Sequence, residues 1–288
     1  MTSQLSTDVF TSEWSADGAV VVCIDGSPLR TDVITWAAEF AHRHSLWMRI
    51  VFVAPNSADP NTGDPNTGDP NTSASPTGLF MEAIQIAESV SPDLRIRTDL
   101  ISGENTAILT ALTSEAALIV NPLIVTPQDD LTAPAPACSF ATVGTSCESQ
   151  ATADLPVVVG LDGSAYSESA LAIAFKEAEA ASTELVVVHA APPEAELSRN
   201  FAAGHAPQHS TPLTWQLSGW ATLYPGVTIR QIEYDGPSVA ILEQLSTEAR
   251  LLVVGRRGRG SFDDTALGTT SSAMIRKAHC PVIVASEA

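Results

Sequence analysis

Two nearly identical octapeptides, VVVCIDGS at 20–27 and VVVGLDGS at 157–164, lie 137 residues apart. The same offset brings RIVFVAP at 49–55 onto VVVHAAP at 186–192. Further along, GENTAIL at 103–109 meets GPSVAIL at 236–242, and AALIV at 116–120 meets ARLLV at 249–253, both at offset 133. So small a drift over such distances means two copies of one domain. A period this long describes a tandem pair rather than a solenoid of short repeats. The 288 residues suffice for two domains of ordinary size, expected at 1–150 and 151–288.

Each copy alternates strand and helix. In the second, LPVVVGLD at 155–162 is a continuous apolar run closed by turn residues, as a strand buried on both faces should be. SAYSESALAIAFKEAEAAS follows, with Ala170, Leu171, Ala174, Phe175 and Ala178 at helical spacing and Ser164 or Ser167 available as the cap. ELVVVHA predicts a second strand. TPLTWQLSGWATL predicts a helix with Leu213, Leu217, Trp220 and Leu223 on its apolar face. GVTIRQIEY, PSVAILEQLSTEA and RLLVVG continue as strand, helix and strand. SSAMIRKAH and CPVIVAS complete the copy as a last helix and a fifth strand. Such alternation predicts two tandem doubly wound parallel-sheet α/β domains, which bind ligands beyond the carboxyl ends of the strands where the strand order reverses. In the first copy the fifth strand reads as lost, because ESQATADLP stands where CPVIVAS should fall.

Charge narrows the partners. With 33 Asp and Glu against 14 Lys and Arg the net charge is −19, a field that repels nucleic acid and anionic membrane surfaces. A small anion remains admissible, since backbone N–H groups close at hand outweigh a distant field. The only basic cluster is Arg256, Arg257 and Arg259. No apolar run reaches the ~18–20 residues of a membrane helix, and the first residues lack a basic region followed by an apolar one, so a cytoplasmic location is expected. Cys23, Cys138, Cys147 and Cys280 show no metal-like spacing and read as structural thiols. The DPNTG repeat at 59–72 reads as an exposed turn-rich excursion, with a calcium site as the lesser alternative because it lacks an EF-hand spacing. His205 and His209 are separated by Pro207 and make a poor zinc pair.

The segment GRRGRGSFDDTALGTTSS at 255–272 carries the chemistry. It spaces its glycines as Gly255-x2-Gly258-x9-Gly268 and follows the last with Thr269, at the entrance of the last helix. Glycine lets a backbone approach a phosphate without a Cβ in the way, and a helix N-terminus adds free N–H groups and the positive end of a dipole. Thr269, Thr270, Ser271 and Ser272 add hydroxyls. The segment is not a Walker A loop, which needs Lys before the Ser/Thr. Nor is it GxGxxG, since Asp263 stands where the third glycine belongs.

G-x2-G-x9-G-[ST] after a fourth strand, together with VVVGLDGS, VVVHA and EYDGPSVAIL, resembles the ATP-binding branch of the universal stress protein family, in tandem form over residues 18–288. The resemblance implies an adenine nucleotide alpha hydrolase-like fold binding ATP, with Mg²⁺ accompanying the nucleotide. It implies that Asp162 contacts the adenosine part, that Gly160 lines the same crevice and that Ala190 supplies backbone to the adenine. Gly255, Gly258, Gly268, Thr269, Thr270 and Ser271 match the phosphate and ribose loop, and Val254 and Arg259 are assigned to the same site. His189 is expected as a packed strand-end residue, and Asp263 and Asp264 as solvated loop charges.

The first copy departs from this pattern. Pro122, Val125 and Ala135 replace the three glycines at offset 133, and only Asp25 survives, so no nucleotide is expected there. The resemblance further implies a homodimer or an intramolecular pseudo-dimer, and a stress-response regulator acting through occupancy. Two other functions stand beside it: a slow ATPase or phosphotransferase, for which Arg256 and Arg259 offer a clamp without an evident general base, and a nucleotide-free dimeric scaffold. The scaffold leaves the intact loop unexplained.

Overall fold

The computed structural model describes residues 18–24, 27–54, 75–102, 105–121, 138–144, 154–191, 213–258 and 267–286. They fall into two units that divide between Val143 and Gly144, against an expected division at 150/151.

The N-terminal unit runs β1 (Ala19–Ile24), α1 (Thr31–Arg43), β2 (Trp47–Ala54), α2 (Pro76–Val90), β3 (Ile96–Ser102), α3 (Asn105–Thr113), β4 (Ala116–Val120) and β5 (Phe140–Thr142). All strands are parallel, in the order β3-β2-β1-β4-β5. β1 is buried at every position, which is why its sequence is uninterrupted Ala, Val, Cys and Ile rather than alternating. β3 lies at an edge of this order and alternates half-buried with exposed residues.

β5 corrects the sequence reading of this half. The fifth strand is retained, upstream of ESQATADLP, in FAT. The N–H of Ile119 donates to the Ser139 carbonyl at 3.3 Å, as that of Leu252 donates to Pro281 at 2.9 Å in the other unit, and the N–H of Asn121 donates to the Ala141 carbonyl at 2.8 Å. Only residues 121–139 separate β4 from β5, whereas 256–281 separate the corresponding strands, so a constant offset overshoots the strand.

At the β2–β3 pair, Arg49 donates to Asp99 at 2.6 Å and to Glu115 at 2.8 Å, and Arg97 joins Asp99 at 3.2 Å. Burial pushes the Asp99 carboxyl up, but the hydrogen bonds and charges of Arg49 and then Arg97 outweigh it and hold the group below its ordinary range. A carboxylate held down stabilises the fold above its unfolded pKa and loses that contribution as pH falls through the folded value. The N-terminal unit is therefore expected to lose stability below about pH 4. Asp99→Asn should flatten that slope in amide hydrogen exchange of β2 and β3 between pH 3 and 6. An unaltered slope in the variant would remove Asp99 from the explanation.

The C-terminal unit repeats the plan with β6 (Val157–Leu161), α4 (Ala165–Ala181), β7 (Leu185–Ala191), α5 (Leu213–Leu223), β8 (Ile229–Asp235), α6 (Ser238–Ser246), β9 (Leu251–Gly255), α7 (Thr269–Lys277) and β10 (Val282–Ala285). Its parallel order is β8-β7-β6-β9-β10, so the chain reverses direction across the sheet between β6 and β9. Ser164 caps α4, its side chain accepting the Ser167 N–H. Ala170, Leu171, Ala174, Phe175 and Ala178 are all buried, as their spacing predicts. On α5, Leu217 and Trp220 are buried while Leu223, at the helix end, is 50% exposed and leaves the predicted apolar face. Phe175 stacks on Trp220 and Tyr224 with ring centroids 5.7 and 5.4 Å away, fastening α5 to α4. α6 packs on α7 and against β6, β7 and β9.

Among the described residues no helix is long and apolar enough to cross a membrane. Cys23 and Cys280 are buried and Cys138 is half-buried, and none of the three is in a disulfide. Burial pushes the Cys23 thiol up to about 12, the charge of Arg49 opposing and Cys138 adding to the rise, so it stays protonated and inert near neutrality. Cys147, the DPNTG excursion, His205 and His209 lie outside the described residues.

Candidate functional site

The strand order reverses between β6 and β9, and a cavity opens at the carboxyl ends of the strands there. Its walls come from the ends of three neighbouring strands, Gly160 to Asp162 on β6, Val188 and Ala190 on β7 and Val254 and Gly255 on β9. Ser238 and Leu242 of α6, Arg257, and Thr270 and Ser271 of α7 complete it. The volume is about 100 Å³. A whole drug-sized ligand needs roughly 300 Å³ or more, so the cavity has room for only part of a molecule of that size.

Two bonds from the following turn fix Asp162 Oδ1. The Ser164 N–H donates to its Oδ1 at 3.0 Å, and the Ser167 hydroxyl donates to the same atom. The Asp162 N–H in turn donates to Ser167 Oγ at 2.9 Å. Gly163 between them has φ 76°, which explains a glycine in the DGS turn. Asp162 is thus a turn residue and a cavity residue at once, with Oδ2 turned toward the glycine loop.

The loop closes on that oxygen. A Cβ on Gly258 would stand 2.5 Å from Asp162 Oδ2. On Gly268 it would stand 3.2 Å from Arg257 Cα and 3.3 Å from the Arg256 carbonyl oxygen, while the Gly268 N–H donates to that oxygen at 2.9 Å. Gly258 thus lets its backbone lie against the Asp162 carboxylate, and Gly268 lets two backbone segments come close. Gly160 is required less strictly, since its Cβ would meet a Leu242 methyl at 3.0 Å.

The first intrahelical bond of α7 is that of the Ser272 N–H to the Gly268 carbonyl, at 2.9 Å. The amides of Thr269, Thr270 and Ser271 precede it and have no intrahelical partner, the usual state of a first turn. The Gly268 cap position has no side-chain hydrogen bond either. The hydroxyls differ from one another. Ser271 is buried and spends its proton on the Gly255 carbonyl at 2.6 Å, tying α7 to β9. Thr270 pairs with Ser238 at 3.0 Å. Thr269 is exposed.

Residues 155–286 match the sequence profile of the universal stress protein family. The C-terminal unit is a universal stress protein domain. Similarity extends beyond it: Universal stress protein MT2052 of Mycobacterium tuberculosis (strain CDC 1551 / Oshkosh) is 28% identical over 92% of this chain and 94% of its own length. Universal stress protein Rv2623 of Mycobacterium tuberculosis (strain ATCC 25618 / H37Rv) is 38% identical over 46% of this chain and 45% of its own. A universal stress protein structure from Archaeoglobus fulgidus superposes with a TM-score of 0.60 at 16% identity, covering 94% of this chain and 97% of that one, and so shares the fold. The similarity to relatives of tandem length runs through both halves of the chain.

In this universal stress protein domain the expected residues Gly160, Asp162, Ala190, Val254, Gly255, Thr270 and Ser271 line one cavity. Gly258 and Gly268 hold the loop against it. Arg259, Asp263 and Asp264 lie outside the described residues. His189 packs as expected, its Nδ1 3.2 Å from the Leu161 carbonyl oxygen. Sequence reasoning missed Leu161, Ser167, Val188, Ser238, Leu242 and Arg257 as lining residues. Ser238 sits in GPSVAIL, a repeat and family landmark that carries no site residue predicted from sequence. Among the described residues no group of three or more His, Cys, Asp or Glu could hold a metal.

The N-terminal unit puts a different residue on the cavity floor. Cys23 pairs with Val51 of β2 as Gly160 pairs with Val188 of β7, so a buried side chain stands where the universal stress protein domain has none. At the end of β4, Asn121 adopts φ 46°, and its Oδ1 accepts the Val143 N–H at 2.8 Å. Arg30 donates to the Val143 carbonyl at 2.9 Å. Asp25, Pro122, Val125 and Ala135 lie outside the described residues.

Proposed function

We propose that this chain is a tandem universal stress protein that binds an adenine nucleotide in its C-terminal unit only and acts as a regulator through occupancy of that site. One observation carries the reading: three strand ends, a glycine-closed loop and the open first turn of α7 converge on a single cavity. The donor set fits the ligand. Gly258 and Gly268 leave room that a Cβ would fill, and the free amides of α7 with Arg257 suit phosphate oxygens. Apolar Val188, Ala190 and Leu242 suit the face of a base. Asp162 Oδ2 suits a sugar hydroxyl. Mg²⁺ would arrive on the triphosphate and neutralise part of its charge. The Cys23 floor and the Asn121 and Arg30 bonds at Val143 support a silent N-terminal unit. Occupancy regulates by favouring whichever loop position the ligand binds better, which changes the surface offered to a partner, a second copy of the chain included.

Acid denaturation of the purified protein, with identification and counting of the released nucleotide, tests this. About one adenine nucleotide per chain is expected. Two per chain would overturn the silent N-terminal unit. None, even after incubation with ATP and Mg²⁺, would overturn the site.

A further inference from the structure

We infer that Ser238, on α6, is a specificity-determining residue of this site, acting as one half of a hydroxyl pair that offers a single proton to a phosphate oxygen. The inference rests on the nucleotide reading above and extends it to an element outside the glycine loop. Ser238 Oγ and Thr270 Oγ1 are 3.0 Å apart, and both residues line the cavity. Each hydroxyl has one proton and two lone pairs. Whichever donates, the pair consumes one proton internally and retains one, and among the described residues no other hydrogen-bond partner is found for either. The retained proton is held by two helices at once, so its position is set before any ligand enters.

The neighbouring groups decide what it meets. Thr270 belongs to the first turn of α7, whose amides lack intrahelical partners, and Arg257 lines the same cavity. Ser238 opens α6, whose cap, Pro237, makes no side-chain hydrogen bond. Two helix starts and a guanidinium therefore favour an anionic acceptor at the pair. Ser271 cannot take this part, because its proton goes to the Gly255 carbonyl. In the N-terminal half the position matching Ser238, within GENTAIL, is Asn105, so that hydroxyl is absent there.

The experiment compares ATP with adenosine, which has the base and sugar but no phosphate, by titration calorimetry on the full chain. Ser238→Ala is expected to weaken ATP about ten-fold, the scale of one hydrogen bond to a charged group, and to leave adenosine within about two-fold. Ser238→Thr, which keeps the hydroxyl, should restore ATP binding. Thr270→Val should reproduce the alanine effect, and the double variant should cost little more than either single one. If Ser238→Ala does not fold, Thr270→Val carries the same comparison. Equal losses for ATP and adenosine, or no loss for either, would overturn the inference while leaving the nucleotide reading intact. Failure of the unaltered protein to bind either ligand would overturn both.

Discussion

Gly268→Val is expected to weaken adenine nucleotide binding about 10- to 100-fold, or about 1.4 to 2.8 kcal/mol, while the C-terminal unit stays folded. The new Cβ would meet Arg257 Cα at 3.2 Å and the Arg256 carbonyl oxygen at 3.3 Å. Both are backbone atoms, so no rotamer change relieves the contact. The loop must move away from α7, and overpacking of this kind costs about 1–3 kcal/mol. Gly258→Val should act in the same direction through Asp162. Its carboxylate cannot swing clear without giving up the Oδ1 bonds to Ser164 and Ser167. Gly219→Ala is the control, because nothing lies within 4 Å of its Cβ. Titration with ATP and Mg²⁺ reads all three, and circular dichroism checks the fold. Affinity for Gly268→Val equal to that of the unaltered protein would make the segment a connecting loop and no cradle.

Phe175→Ala is expected to destabilise the C-terminal unit by about 3–5 kcal/mol, the cost of deleting a buried aromatic side chain and leaving its cavity. Phe175 has no exposed surface and stacks on both Trp220 and Tyr224. Its loss unfastens α5 from α4, and α4 packs on β6, which ends in the Asp162 turn. Amide hydrogen exchange followed by mass spectrometry should therefore show faster exchange in peptides from α4 and β6. Peptides from β1 and β2 should be unchanged, since they belong to the other unit. Leu223→Ser, at a half-exposed helix end, should move neither set. Uniform acceleration across both units would contradict the assignment of these aromatics to one core.

The double octapeptide, the buried strand runs and the helical spacing of Ala170 to Ala178 follow from local rules, and each element they predict in the C-terminal unit is present. The glycine spacing was legible for the same reason: close backbone approach admits one residue type, so it leaves a mark in sequence. The fifth strand of the N-terminal unit was not legible by offset. A strand of three residues carries little periodicity, and its pairing with β4 locates it. Leu223 was misread because an apolar residue at a helix end fits the period whether or not anything covers it.

The sequence alone determined that two α/β copies exist and that only the second keeps the three spaced glycines, because repeats, buried strands and Cβ-free contacts are recorded residue by residue. Tertiary structure decided the rest of the site. Asp162 Oδ1 is held by Ser164 and Ser167, Ser271 has spent its proton, and Ser238 meets Thr270 across 32 positions of chain. A serine hydroxyl looks the same in sequence whether it caps a helix, ties a strand or faces a ligand. Which of these it does depends on the partner that folding brings within about 3 Å.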